Sequence, residues 1–391
     1  MLHTEYKFLN RSQCCEDITR YTGEVIEKNG YHWKMFELCT EDGYYVTLFR
    51  IRTKNVKNPI KALPVLIVHG FTASVAESVM EKHQLGYYLA DFGLDVWIAN
   101  CRGTTYSRGH KTYKENSEKY WDYSFHEIGI YDVPIFIDFI LEQTQQKKLY
   151  YIGVSQGCIA LSILLSTRLE YNDKIEVACF LCPAMKYKDT KLSLMKVFFY
   201  CVPPALQWFA DNLHIPLQGD ILCYLTRVIG LEASKYSIGR SIFSLLWSYI
   251  GGYQIGESSK DLKPELLCRT SPNTVSLKQL VHFSQIVRGC RFTMYDYGPE
   301  QNMKLYKKKV PPSYDISKVS VPIGLFYSKN DTCYGVKDMD DLSKELGNCV
   351  YKFIVEDDKF NHFDFVYHTN VRDMLYKHVL DFMKKYIPHR L

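Results

Sequence analysis

Ser155 stands in a context that could make its hydroxyl a nucleophile. It is the central residue of Gly153–Gly157, which reads GVSQG and fits the pattern G-x-S-x-G. The apolar run 148–152 before it predicts a short strand, and the run 158–165 after it predicts a buried helix. A serine between such elements lies in a tight turn, where side chains two residues before or after it would collide with the crossing strand and helix. The pattern therefore predicts a nucleophile elbow.

A serine hydroxyl is a weak nucleophile at neutral pH, so it needs a histidine as base and a carboxylate that orients this histidine. With a G-x-S-x-G elbow, these residues follow in the order serine, acid, histidine. Asp331 comes soon after the apolar run 321–327, and His362 comes after the run 351–355. Both therefore lie at the carboxyl ends of predicted strands, where open α/β sheets place their active sites. We expect Ser155, His362 and Asp331 to act as nucleophile, base and acid.

Other acids and histidines near these two loops are weaker candidates for the same roles. Asp338 and Asp340 lie in the helix predicted after the acid loop, Asp357 and Asp358 come too soon after the last strand, and His368 lies in or near the C-terminal helix. If Asp331 is not the acid, Asp338 is the next choice.

Attack of the serine on an ester places a negative charge on the carbonyl oxygen, and two fixed N–H groups must stabilise this charge. The residue after the nucleophile, Gln156, would supply one backbone N–H. The second donor belongs on the loop after the buried strand 64–68, which begins with His69 and Gly70. We expect the backbone N–H of Phe71 to be that donor.

The elements around these residues predict an α/β fold. Buried apolar runs alternate with helical patterns, which is typical of a mostly parallel sheet with helices on both faces. Between residues 183 and 320 this alternation fails over a stretch that is too long for a loop and too apolar for disorder, so a helical insertion is expected there. We therefore predict a core in two parts, 1–183 and 319–391, with a helical cap or lid at 184–318.

Composition excludes several other classes of protein. The net charge of +5 arises from 48 basic and 43 acidic residues spread along the chain, without the basic stripe of a nucleic-acid-binding protein. The 13 cysteines form no His/Cys cluster with metal spacing and are odd in number, so we expect neither a metal site nor a disulfide framework. No apolar run is long enough to be a transmembrane helix.

Several further motifs accompany the elbow: TEDGY at 40–44, HGFTAS at 69–74, NCRG at 100–103, WDYSFHE at 121–127, YDVP at 131–134, YDYG at 295–298 and NHFDF at 361–365. From about Tyr21 to Tyr386 the sequence thereby resembles the acid lipase family of α/β hydrolases, which includes gastric and lysosomal lipases and fungal steryl ester hydrolases. The resemblance implies the α/β-hydrolase fold. It also implies Ser155 as nucleophile, Asp331 as acid and His362 as base, with oxyanion donors at Phe71 and Gln156.

This resemblance implies a lipid carboxylic ester hydrolase that needs no cofactor and no metal. Its substrates would be neutral lipid esters, either triacylglycerols or steryl esters, and the reaction would pass through an acyl-serine intermediate. The competing hypothesis is a non-catalytic lipid-binding protein on the same fold. A peptidase of the same fold is a third possibility, which the large apolar insertion does not favour.

The insertion also suggests contact with lipid. The apolar stretch 197–209, interrupted by Pro203 and Pro204 and ending in Trp208 and Phe209, is suited to lying in a lipid surface rather than crossing it. The alternative is a cap helix packed permanently on the sheet. If the stretch lies in lipid, a membrane or lipid-droplet surface would be a partner of the cap.

The compartment is predicted from two departures from the secreted family members, which have a signal peptide and a close cysteine pair in the lid. The N-terminal residues 1–8 lack the apolar core of a signal peptide, and Cys223 has no such partner nearby. We therefore expect an intracellular protein that associates peripherally with membranes or lipid droplets. A lysosomal or secreted protein is the alternative.

Overall fold

The computed structural model describes residues 13–53, 64–213, 228–252 and 271–387. An eight-stranded sheet has the strand order β1-β2-β4-β3-β5-β6-β7-β8. Strands β1 and β2 are antiparallel to each other, and β2 is antiparallel to β4, whereas all pairs from β4 to β8 are parallel. The mostly parallel sheet confirms the predicted α/β class. The strands are β1 (Tyr31–Cys39), β2 (Tyr45–Thr53), β3 (Val65–Val68), β4 (Val96–Asn100), β5 (Leu149–Val154), β6 (Ile175–Leu181), β7 (Ile323–Tyr327) and β8 (Cys349–Ile354).

Helices connect these strands and occupy much of the long interval between β6 and β7. They are α1 (Gln13–Lys28), α2 (Ala76–Val79), α3 (Leu85–Asp91), α4 (Phe125–Glu127), α5 (Val133–Thr144), α6 (Gln156–Thr167), α7 (Leu194–Leu213), α8 (228–234), α9 (Ser237–Gly251), α10 (Leu277–Gly289), α11 (Pro299–Tyr306), α12 (Val336–Glu345), α13 (Asp364–Tyr367) and α14 (Lys377–Lys384). Two π-helical turns precede α5 and α14, at Ile128–Asp132 and Arg372–Tyr376. The C-terminal helix expected from the sequence therefore begins with an irregular turn.

The central strands are apolar throughout because both of their faces are covered. Every residue of β3, β4, β5 and β7 is buried. Such strands show continuous apolar runs instead of the alternation expected for a sheet with one solvated face. Strands β1 and β2 form a hairpin: β1 pairs with β2 along its whole length, and Gly43 in the turn between them has a φ of +99°.

In the interval between β6 and β7, the described residues contain helices α7 to α11 and no strand. One isolated antiparallel bridge joins Thr293 to Ser313 there. Residues 214–227 and 253–270 lie outside the described part of the chain. The predictions that concern Cys223 and residues 1–8 therefore fall on residues outside the described part.

Helix α7 continues through Pro203 and Pro204, the two prolines that interrupt the apolar stretch 197–209 of the sequence. A proline inside a helix removes one backbone hydrogen bond and crowds the preceding turn. Tertiary packing offsets this cost, since Phe199 of α7 is buried and its ring centroid lies 5.7 Å from that of Phe283 in α10. The side chain of Phe209, at the other end of the predicted apolar stretch, lies outside the described part of the structure.

The fully buried Arg102 joins three of the sequence motifs. Its guanidinium donates hydrogen bonds to Asp42 at 2.6 and 2.9 Å and to Asp132 at 2.8 Å, and it lies over the ring of Tyr44 at 4.1 Å. Burial raises the pKa of Asp42, but the hydrogen bond and charge of Arg102 outweigh this effect and the pKa is lowered. The hairpin turn, the end of β4 and the start of α5 are thus held together by one ion-pair network, because a buried guanidinium requires such partners.

Candidate active site

Ser155 occupies the sharp turn between β5 and α6. Its backbone φ of +50° is rare for a residue with a side chain and marks local strain. A Cβ added at Gly157 would lie 2.2 Å from the carbonyl oxygen of Val68, and one added at Gly153 would lie 2.7 Å from the nitrogen of Cys158. The turn therefore requires glycine at both positions, for the steric reason predicted from the motif.

The fold brings together the three residues predicted to form the triad. His362 Nε2 lies 3.0 Å from Ser155 Oγ, and His362 Nδ1 lies 2.6 Å from Asp331 Oδ2. Asp331 is completely buried, and its other oxygen accepts the backbone N–H of Cys333 at 2.7 Å. The carboxylate is thus fixed on one side by the backbone while it holds the imidazole on the other.

The charge of Asp331 controls the protonation of His362. Burial lowers the pKa of His362, but the neighbouring Asp331 carboxylate outweighs burial and holds this pKa well above its usual range. With its proton on Nδ1 facing Asp331, the neutral imidazole presents Nε2 as an acceptor to the Ser155 hydroxyl. This is the arrangement that a general base requires before the reaction.

The rival acids are engaged elsewhere. Asp338 is buried and accepts the backbone N–H groups of Lys188, Asp189 and Gly335 at 2.9 to 3.1 Å. Asp340 and Asp358 form surface ion pairs with Lys352 and Lys329. Of the acids considered from the sequence, Asp331 is therefore the one that the structure places in contact with His362.

One group of side chains in the described part of the chain has ligand atoms close enough to hold a metal ion. The relevant atoms of Asp331, Cys333 and His362 lie within 4.8 Å of one another. Two of these residues are the acid and the base, which already share a hydrogen bond. Burial also raises the pKa of the Cys333 thiol, which disfavours the thiolate that binds metal. The expectation of no metal and no cofactor stays a prediction.

The C-terminal end of α9 holds the loops that carry the acid and the base. The carbonyl oxygen of Gly251 accepts the backbone N–H of His362 at 3.0 Å and that of Thr332 at 3.3 Å. The ring of Trp247 stacks on Phe363 with centroids 4.1 Å apart. This contact was not predicted from the sequence, where its signal is the pair of glycines, 251 and 252, that ends an amphipathic segment.

The loop after β3 also approaches the nucleophile closely. A Cβ added at Gly70 would lie 3.5 Å from Ser155 Cβ. Phe71, the predicted second oxyanion donor, follows this glycine directly. Gln156, the predicted first donor, begins α6, and N–H groups in the first turn of a helix have no intrahelical acceptor. Both predicted donors therefore border the nucleophile.

His69 holds this loop in place. Its Nδ1 bonds to the carbonyl oxygen of Gly70 at 2.8 Å, and its Nε2 accepts the backbone N–H of Cys101 at 3.1 Å. Burial lowers the pKa of His69 to about 4, so the ring is neutral at physiological pH. With both nitrogens engaged by the backbone, His69 links the ends of β3 and β4 and does not act as a base.

Glu77 is a further acid near the site, and its role was not predicted from the sequence. The residue is half-buried, yet its Oε2 is inaccessible and has no hydrogen-bond partner among the described residues. Burial raises the pKa of Glu77 to about 8, although the backbone N–H of Gly70 and the charge of His362 act in the opposite direction. At neutral pH the carboxyl is therefore largely protonated.

Glu77→Gln should stabilise the protein selectively at alkaline pH. Because the folded-state pKa is raised from 4.5 to about 8, the favourable contribution of Glu77 is fully present below pH 4.5 and is lost as the pH rises through about 8. Glutamine has the same shape and does not ionise. We expect the variant to melt a few degrees above wild type at pH 9 and at nearly the same temperature at pH 4. Exposed Glu118→Gln is the control, and a Glu77→Gln effect that is independent of pH would contradict this account.

Models of two known protein families match parts of this chain. A sequence model described as alpha/beta hydrolase fold matches residues 64–369, and one described as partial alpha/beta-hydrolase lipase region matches residues 22–82. Lipase 1 of Drosophila melanogaster is 34% identical over 96% of this chain and 82% of its own length. The chain belongs to the lipase family of α/β hydrolases. This membership confirms the resemblance and the α/β-hydrolase fold predicted from the sequence.

Further comparisons agree with the family. Gastric triacylglycerol lipase of Bos taurus is 30% identical over 96% of this chain and 94% of that protein. A thermophilic esterase structure from Thermogutta terrifontis has a TM-score of 0.50 at 11% identity and covers 90% of this chain and 99% of that one. A candidate lipase from Sulfolobus solfataricus has a TM-score of 0.53 at 14% identity, covering 91% and 95%. At such low identity these two structures support the fold alone.

Proposed function

We propose that this member of the lipase family hydrolyses neutral lipid esters, either triacylglycerols or steryl esters, with Ser155 as the nucleophile. The observation that carries the proposal is the continuous hydrogen-bonded chain from Ser155 Oγ through both ring nitrogens of His362 to Asp331. The names of its relatives, lipase and gastric triacylglycerol lipase, support a lipid ester as the substrate.

In the first half of the reaction, Ser155 Oγ attacks the ester carbonyl carbon while His362 Nε2 takes the hydroxyl proton. Asp331 stabilises the imidazolium that forms. The backbone N–H groups of Phe71 and Gln156 stabilise the oxyanion. His362 then gives its proton to the alcohol oxygen as the bond between carbon and that oxygen breaks, which leaves an acyl group on Ser155.

In the second half, water attacks the acyl carbon and His362 takes a proton from it. The bond between carbon and Ser155 Oγ breaks, His362 returns the proton to this oxygen, and the fatty acid leaves. Every proton is carried by His362 and every charge is stabilised by groups of this chain. The proposed chemistry therefore uses no cofactor and no metal.

A substrate panel tests this proposal. Purified protein would be assayed on emulsified triolein, emulsified cholesteryl oleate, p-nitrophenyl butyrate and a peptide p-nitroanilide. We expect hydrolysis of at least one of the long-chain esters and of the butyrate. Binding to lipid emulsions without any hydrolysis would favour the non-catalytic alternative, and cleavage of the anilide alone would favour a peptidase.

We further propose that residues 184–318 form a cap on the core formed by 1–183 and 319–391, and that this cap contacts lipid. Exposed apolar side chains on two of its helices support the proposal. Trp208 of α7 is 58% exposed. Helix α9 has exposed apolar residues at helical spacing on one face, which suits a helix lying in a lipid surface. These residues are Ile238, Ile242, Leu245, Leu246 and Tyr249.

Serine substitutions on this face should separate lipid contact from catalysis. We expect Ile242→Ser combined with Leu246→Ser to reduce binding to phospholipid vesicles and activity on emulsified triolein by about tenfold, because less apolar surface enters the lipid. Hydrolysis of soluble p-nitrophenyl butyrate should stay within about twofold of wild type. Trp208→Ser should act in the same direction.

The matched control for these variants is Leu169→Ser combined with Val350→Ser. It removes exposed apolar side chains from the surface of the α/β part of the chain, outside residues 184–318. Lipid binding by this control should be unchanged. If the α9 variant instead loses activity on both substrates together with thermal stability, Ile242 and Leu246 belong to a packed cap. The proposal of lipid contact would then be wrong.

The compartment remains part of the proposal. No helix in the described part of the chain is long and apolar enough to cross a bilayer. Relatives named gastric lipases favour the lysosomal or secreted alternative over the intracellular location expected from the sequence. Fractionation of cells that express the natural gene, with detection in medium, lysosomes and lipid droplets, distinguishes the two.

A further inference from the structure

The loop that carries Phe71 contains a strained residue held by a distant part of the chain. Thr72 has a φ of +58°, which is unfavourable for a β-branched side chain. The backbone N–H of Asn273 donates to the carbonyl oxygen of Thr72 at 2.6 Å. The Asn273 side chain, itself buried, accepts the backbone N–H of Thr105 at 2.9 Å. A strained conformation persists when its surroundings fix it, and Asn273 supplies such a contact.

Helix α10 begins soon after Asn273 and contacts the side chain of Phe71 directly. The ring of Phe283 lies 4.9 Å from that of Phe71 in an edge-on arrangement. Phe283 is 3% exposed and is fixed on its other side by Phe125 of α4, also at 4.9 Å. Such aromatic contacts restrict ring position as well as burying apolar surface. The loop residue proposed as one oxyanion donor is therefore held at its side chain by α10.

The same helix contacts the residue proposed as the other donor. Gln279 Nε2 donates to Gln156 Oε1 at 2.5 Å, and the two side chains are 1% and 3% exposed. Gln279 is fixed in turn, because its backbone N–H donates to Ser276 Oγ at 2.9 Å and the Ser276 hydroxyl donates to the carbonyl oxygen of Tyr123. A buried amide pair of this kind leaves Gln156 little freedom to rotate.

Gln279 and Phe283 are four residues apart in a helix and therefore project from the same face. We infer that residues 273–283 form a positioning segment that sets the separation of the two oxyanion donors, through Asn273 on Thr72, Phe283 on Phe71 and Gln279 on Gln156. The inference rests on the proposed function, which assigns those donors. Residues 273–283 are then needed for hydrolysis of every ester, soluble or emulsified.

The test compares Gln279→Leu with Gln285→Leu. Gln285 lies on the same helix and hydrogen-bonds with the backbone of Asp296, away from Ser155, so it is a matched control. We expect Gln279→Leu to lower kcat on p-nitrophenyl butyrate by about 10- to 100-fold, since displacing one oxyanion donor lowers kcat by a factor of 10² to 10³. KM should change by less than about twofold, and the acidic limb of the pH profile should not move because His362 and Asp331 are untouched.

A second variant guards against a mere packing defect. Gln156→Leu combined with Gln279→Leu replaces both buried polar partners and should recover the melting temperature without recovering kcat. Phe283→Leu should lower kcat in the same way as Gln279→Leu. Recovery of kcat together with stability in the double variant would overturn the inference, as would a wild-type kcat in Gln279→Leu.

Hydrogen–deuterium exchange gives a readout that does not depend on activity. Peptides covering residues 69–74 and 155–158 should exchange faster in Gln279→Leu than in wild type or Gln285→Leu. Unchanged exchange at both peptides would contradict the positioning role even if the wild-type protein hydrolysed no ester. Absence of hydrolysis in wild type with the expected change in exchange would refute the proposed function and leave the positioning contact supported.

Discussion

Ser155→Ala and His362→Ala are each expected to lower kcat on p-nitrophenyl butyrate by about 10⁴-fold or more. Ser155 provides the atom that bonds to the acyl group and His362 carries every proton, so loss of either stops the same step. The double variant should therefore be hardly worse than the more damaged single one. The measurement is kcat for the two single variants and the double variant at one pH.

The control is Ser166→Ala, a buried serine near the end of α6 whose hydroxyl donates to carbonyl oxygens of the same helix. It should keep activity within about threefold of wild type while testing for general damage to α6. Activity within tenfold of wild type in either Ser155→Ala or His362→Ala, or losses that multiply in the double variant, would show that these residues do not act as one unit.

Asp331→Asn is the second substitution with a very large expected effect, again about 10⁴-fold in kcat. An amide in place of the carboxylate does not stabilise the imidazolium and can hold the ring in the wrong tautomer. The pH profile supplies a further signature. In wild type, the Asp331 carboxylate holds the pKa of His362 well above its usual range, so activity that needs the neutral ring is lost as the pH falls below this raised value. In Asp331→Asn, the remaining activity should persist to lower pH.

Asp338→Asn is the matched control because Asp338 was the other candidate for the acid. Asp338 is buried and accepts three partly buried backbone N–H groups, so its replacement should lower the melting temperature while leaving the pH profile in place. Near-normal kcat in Asp331→Asn with a large loss in Asp338→Asn would reverse the assignment of the acid.

The parts of the fold that local sequence determines could be predicted. Glycines on both sides of Ser155 were required by the crowded turn, and the structure shows the atoms that a larger side chain would meet. Apolar runs marked the central strands because both faces of the sheet are covered. Asp331 and His362 could be located because each follows such a run, and the carboxyl ends of parallel strands meet at one edge of the sheet.

The remaining features depend on contacts between distant segments, which a single sequence does not reveal. The carbonyl of Gly251 that holds the His362 loop, and the Asn273 amide that holds Thr72, join segments more than 100 residues apart. Helix α7 runs through Pro203 because packing against α10 overrides the local preference of proline. The inaccessible oxygen of Glu77 depends on which way one side chain points, and neither spacing nor composition encodes this direction.

These long-range contacts join two helices of the insertion to different parts of the site. Helix α9 contacts the loops of the acid and the base, whereas α10 contacts Phe71 and Gln156. The α9 and α10 variants described above separate these contributions, because soluble ester hydrolysis should survive the first set and be lost in the second.

Labelling with a fluorophosphonate ester tests the central claim most directly. The reagent bonds covalently to a serine only when a neighbouring base activates the hydroxyl, and the adduct can be located by mass spectrometry of proteolytic peptides. We predict one adduct on Ser155 in the folded wild-type protein, and none in Ser155→Ala or after heat denaturation. Absence of labelling in folded wild type, under conditions that label a known lipase, would contradict the assignment of Ser155 as an activated nucleophile.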